Sequence, residues 1–83
     1  MDKILIELYV PAIGEKFDVF VPDFLKIRTL RHLLSESVKE LSDNRYANSG
    51  EEILCDYIAF VIFSEDKCLK DYKVQNGSKL MLC

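Results

Sequence analysis

An α+β fold with one helix laid across a sheet is what this sequence predicts, and three stretches predict it. Residues 3–10 alternate at the strand period, with Ile4, Ile6, Leu8 and Val10 on one face and Lys3, Leu5, Glu7 and Tyr9 on the other. From about Lys26 to Leu41 the period changes. Ile27, Leu30, Leu34, Val38 and Leu41 recur at three- and four-residue spacing and draw one apolar stripe along a helix. The segment from Leu69 to Cys83 then reads as a buried anchor, a turn at Asn76-Gly77 and a final strand in which Leu80 and Leu82 alternate with Lys79, Met81 and Cys83.

Each element follows in order. Pro11-Ala-Ile-Gly-Glu15 carries turn residues and Phe17, Val19 and Val21 resume the alternation, so the first two strands form an antiparallel hairpin with a loop of about five residues. Pro22 ends the second strand. Asp23 is the expected N-cap of the helix, and Ser42-Asp43-Asn44 supplies its stop. Neither the helix stripe nor the Ile4/Ile6/Leu8 face can stay in water at roughly 25 cal/mol per Å², so the helix lies across the hairpin. Residues 43–52 read as polar loop, with Ser49-x-x-Glu52 an alternative helix start. Ile53–Cys55 and Val61–Phe63 read as two short strands joined by residues 56–60, and Ser64–Lys67 leads back to Leu69.

Composition narrows the class. The 83 residues make a single domain, 1–83, and a chain this short buries only about 60% of its unfolded surface. No apolar run is long enough to span a bilayer and no basic-then-apolar leader opens the chain, which predicts a soluble protein without a signal peptide or direct membrane insertion. Cys55, Cys68 and Cys83 are an odd count at spacings that match no zinc or redox motif, pointing to a reducing compartment. A net charge of −3 with scattered basic residues argues against nucleic acid as a partner. Lys26, Arg28 and Arg31 read as the solvated face of the helix.

The Leu69-Lys-Asp-Tyr-Lys-Val-Gln75 stretch resembles the Leu-x-Asp-Tyr-x-(Ile/Val)-Gln pattern that leads into the last strand of ubiquitin. Together with Arg45-Tyr46, Ser49-Gly50-Glu51, Ile53-Leu-Cys-Asp56 and Asn76-Gly-Ser-Lys-Leu-Met-Leu82, it is similar to the small bacterial ubiquitin-like proteins of the YukD/EsaB family. The resemblance implies a ubiquitin-like β-grasp: a mixed four- to five-stranded sheet with one helix packed across one face. It also implies a cytoplasmic accessory or regulatory role in a Gram-positive type VII secretion system, with a secretion ATPase or another secretion component as partner. One departure is the turn after Asp56, which is apolar here, Tyr57-Ile-Ala-Phe60, where that branch is usually polar and glycine-containing. Such a tip is either buried by extended strands or a contact site.

Catalysis finds no support in the sequence. His32 has only Ser35 and Glu36 at helical spacing, no glycine-rich loop precedes the helix, and Glu51-Glu52 and Glu65-Asp66 are single acidic pairs, so no cofactor or metal is expected. Surface recognition remains. Residues alternating with the core set face outward, namely Leu5, Tyr9, Phe20, Met81 and Cys83, joined by Ile13 on the hairpin loop and by Cys55. That set is too apolar for an indifferent surface, and a protein partner or a homodimer would cover it. The alternative, a sulfur carrier or protein modifier, requires a flexible Gly-Gly terminus that the sequence does not contain. A β-grasp ligand-binding domain would need a pocket that so small a core does not favour.

Overall fold

The computed structural model describes residues 3–47 and 50–83. Strands β1 (Lys3–Val10) and β2 (Glu15–Pro22) form the expected hairpin, helix α1 spans Ile27–Leu41, and β3 (Leu54–Asp56) and β4 (Lys79–Leu82) complete a four-stranded sheet ordered β2-β1-β4-β3. β1 and β4 run parallel through the centre, and both outer pairings are antiparallel. A helix between β2 and the later strands suits this topology, because a parallel pair needs a long crossover.

The sequence pattern explains the burial. Ile6, Leu8 and Val10 of β1, Leu80 and Leu82 of β4 and Leu54 of β3 join Ile27, Leu30, Leu34 and Val38 of α1 in one core, closed by Leu69 and Phe63. Fully burying a side chain of this size is worth about 1.5–3 kcal/mol. Leu41 is the exception in the helix stripe and is exposed. The Asn76-Gly77 turn is clamped to the first strand: Leu5 N–H donates to Asn76 Oδ1 (2.7 Å) and Gly77 N–H to the Leu5 carbonyl (2.8 Å). Gly77 takes φ +87°, a conformation that glycine adopts without steric cost.

Several expectations need correction. Asp23 does not cap α1. The helix begins after Lys26, and its first two amides donate to backbone instead, Ile27 N–H to the Lys67 carbonyl (2.8 Å) and Arg28 N–H to the Glu65 carbonyl (3.2 Å). A tertiary contact thus satisfies donors that a cap side chain would otherwise take. Hairpin turn Pro11–Gly14 is one residue tighter than expected, with Ile13 N–H donating to Val10 and Gly14 N–H to Pro11. Val61–Phe63 is not a strand but a single bridge, Cys55 to Ile62, so the sheet has four strands, within the expected four to five. The alternative helix start at Ser49 lies outside the described residues.

The loop entering β3 is tied down by buried polar groups. Ser42 Oγ accepts the Tyr46 N–H (3.1 Å), and the Tyr46 hydroxyl donates to Glu52 Oε2 (3.0 Å). Burial, then the neighbouring Glu52 carboxylate, pushes the Tyr46 phenol up to about 12.

Candidate interaction surface

The strand register decides which side chains share the outer face, because directly paired residues project to the same side. Leu5 lies opposite Phe20, Glu7 opposite Asp18 and Tyr9 opposite Lys16 across β1 and β2. Tyr9 also pairs with Met81 across β1 and β4, and Met81 with Cys55 across β4 and β3. One row therefore crosses the whole sheet, Lys16–Tyr9–Met81–Cys55.

This row is the apolar centre of the face. Tyr9 and Met81 are half-buried, and the Tyr9 ring meets that of Tyr57 at 5.4 Å and 57°, within the tilted geometry aromatic pairs favour. A polar band separates it from the second apolar spot, where half-buried Leu5 faces Phe20, 69% exposed. Glu7 sits in that band between Asp18, a like charge directly opposite, and Lys79, whose Nζ lies 3.6 Å from Glu7 Oε2.

Two residues expected on this surface are placed otherwise. Ile13 packs its half-buried side chain against the core. Cys55 points to the outer face, as its pairing with Met81 requires, yet it is only 7% exposed, its Sγ 3.7 Å from the Met81 carbonyl. Burial, followed by the nearby Cys83, pushes its thiol pKa up, which favours the protonated form over a nucleophilic thiolate. Cys83 is exposed and its backbone exchanges two hydrogen bonds with Ile53 (3.1 and 2.9 Å). Leu5, Tyr9, Phe20, Met81 and Cys83 thus lie on one face, whereas Ile13 does not join them.

Tyr57 extends the row; in the sequence it belongs to the apolar Tyr57–Phe60 turn, expected to be either buried or a contact site. The Tyr57–Phe60 tip itself is solvent-facing at Ile58, Ala59 and Phe60. Elsewhere, His32 is exposed on α1, with Ser35 Oγ donating to its carbonyl (2.8 Å) rather than to its ring. Arg28 and Arg31 pair with Asp66 (2.5 Å) and Glu65 (2.6 Å). Among the described residues, no group of three His, Cys, Asp or Glu side chains is placed to hold a metal ion.

No family profile and no curated protein matches the sequence. Solved structures do match. The ubiquitin-like domain of Plasmodium falciparum Dsk2 superposes with a TM-score of 0.73 at 18% identity, over 96% of this chain and 95% of that one. The ubiquitin-like domain of the Mycobacterium tuberculosis type VII secretion system protein ECCD1 gives 0.67 at 18% identity, over 99% and 98%. A chain of the MycP5-free ESX-5 inner membrane complex gives 0.72 at 13% identity, with all of this chain covering 21% of that one. The fold is the ubiquitin-like one.

Proposed function

We propose that this ubiquitin-like domain is a non-catalytic protein-interaction module, a cytoplasmic accessory or regulatory component of a type VII secretion system, whose partner docks on the outer sheet face around Met81. The observation that carries the reading is the Tyr9–Met81 row with its Tyr57 extension, an apolar strip set on the two central strands and bordered by charge. Such a strip buries aromatic surface at little conformational cost, while the thioether adapts to the partner's shape. The secretion assignment is supported by the resemblance of the Asn76–Leu82 segment to the YukD/EsaB family and by similar domains in a type VII secretion protein and in an ESX-5 membrane complex. No helix among the described residues is long and apolar enough to cross a membrane, so attachment to the machine goes through protein contacts in this reading.

Met81→Glu tests it. Met81 alternates with buried Leu80 and Leu82, so a carboxylate there stays solvated in the free protein but is desolvated without a counter-ion in the complex, at a cost of a few kcal/mol. Wild-type protein should capture the secretion ATPase or another type VII component from cells that carry the system, and Met81→Glu should not. Equal capture by both rejects the site, and no capture by wild-type protein rejects the secretion role.

A further inference from the structure

The apolar surface continues at the sheet edge, where Ile62 bridges Cys55 and prolongs the Lys16–Tyr9–Met81–Cys55 row beyond β3. Beyond β3 the chain turns through Tyr57–Phe60 and comes back beside the strand at Ile62. Asp56 fixes that turn: its Oδ1 accepts the Ile58 and Ala59 amides (2.9 and 2.8 Å) and its carbonyl accepts the Phe60 amide (2.9 Å). Phe60 is held at φ +56°, a left-handed conformation unfavourable for an aromatic residue, and is 78% exposed. Ile62 beside it is 67% exposed. The fixed backbone of the turn thus presents exposed apolar side chains outside this copy's core.

We infer that a second copy of this chain docks here, edge to edge about a two-fold axis at Ile62, extending the sheet across both copies. The backbone supplies the first argument. Asp56 N–H donates to the Val61 carbonyl (2.8 Å) and Phe63 N–H to the Leu54 carbonyl (3.1 Å), bonds that flank the Cys55–Ile62 bridge, so the N–H and C=O of Ile62 both point away from β3. Among the described residues nothing bonds them. A residue so placed on a two-fold axis forms both antiparallel bonds with its own counterpart.

Charge supplies the second. Residues 57–63 carry none, and the flanking carboxylates are engaged within the copy, Asp56 by the turn, Glu65 by Arg31 and Asp66 by Arg28. Two copies therefore meet without like-charge repulsion, and the edge offers a charged partner nothing to recognise. Area sets the strength. Ile58, Phe60, Val61 and Ile62 together expose on the order of 500 Å² per copy, so the dimer buries at most about 1,000 Å², the lower limit for a specific interface, and associates reversibly.

Sedimentation velocity of the full chain, from low-micromolar to near-millimolar concentration, tests this. Wild-type and Met81→Glu protein should pass from monomer to dimer over that range, whereas Phe60→Asp and Ile62→Lys, both at exposed positions, should stay monomeric with unchanged thermal melts. Amide exchange at Ile62 in wild-type protein should slow as the dimer fills, a readout that needs no variant. A wild-type monomer throughout, a dimer that survives both edge substitutions, or an Ile62 exchange rate indifferent to dimerisation would each overturn the inference. The readout here is the oligomeric state, so these outcomes stay distinguishable from loss of partner capture at Met81.

Discussion

The outer sheet face and the β3 edge both expose apolar side chains, but they are built in opposite ways. On the face, Tyr9 and Met81 are half-buried on the two central strands, alternate with core residues and are bordered by Lys16, Glu7 and Lys79. At the edge, Ile58 and Phe60 stand on a tight turn and Ile62 on the segment that bridges back to a three-residue strand, all three uncharged and exposed. In the proposed reading the face sets its docking strip on the two central strands, and the charged groups at its border discriminate among partners. The edge has backbone donors, acceptors and hydrophobicity alone, which suits a copy of itself. In this reading one face of a small domain offers Met81 at its centre to a partner and Ile62 at its edge to a second copy.

The largest effect should come from the core beneath the face. Leu80 is fully buried in β4, and Leu80→Ala should cost about 2–5 kcal/mol, enough to unfold much of so small a domain and to remove both surfaces together. A urea midpoint unchanged by this substitution would break the account of the fold. Next is alkaline pH, which should act on the loop entering β3. A raised phenol pKa means the folded state holds the Tyr46 proton more tightly, so its stabilisation is intact below the ordinary value of 10 and is lost as pH climbs from about 10 to 12. The loss, on the order of 1–3 kcal/mol, should be absent in Tyr46→Phe when the two proteins' denaturation is compared across that window. Smallest is Tyr72→Phe. The Tyr72 hydroxyl accepts the Ser64 N–H (2.8 Å) and its ring lies 4.6 Å from that of Phe63, so losing the hydroxyl should cost about 1 kcal/mol in the melt while partner capture stays intact. Loss of capture at unchanged stability would give Tyr72 a role that its position does not suggest.

Most of the framework was legible because it is periodic. The alternation in 3–10, the helix stripe and the Leu80/Leu82 pattern each name a buried face without reference to the rest of the chain, and the structure buries those residues except half-buried Ile4 and exposed Leu41. What failed depends on partners distant in sequence. Asp23 looked like a cap, but the first two α1 amides are taken by the carbonyls of Lys67 and Glu65, which local spacing cannot reveal. Val61–Phe63 looked like a strand by composition, yet only one bridge forms. On the outer face, Leu5, Tyr9, Phe20, Met81 and Cys83 followed from strand period alone. Cys55 has the right period and the wrong exposure, and Ile13 turns inward from a loop where no period applies. Tyr57 could be found only through its contact with Tyr9. The apolar tip was visible as an anomaly, an uncharged turn between short strands, but its exposure required the fold.

Side-by-side capture of type VII secretion components by Met81→Glu and Phe60→Asp proteins tests the division between face and edge most directly. Each substitution introduces one carboxylate at a position that the core does not need, and thermal melts should show both proteins folded as wild type. The account predicts that Phe60→Asp captures its partner as wild-type protein does and that Met81→Glu captures none. Capture retained by Met81→Glu and lost by Phe60→Asp would contradict it, moving recognition of the partner from the sheet face to the tip.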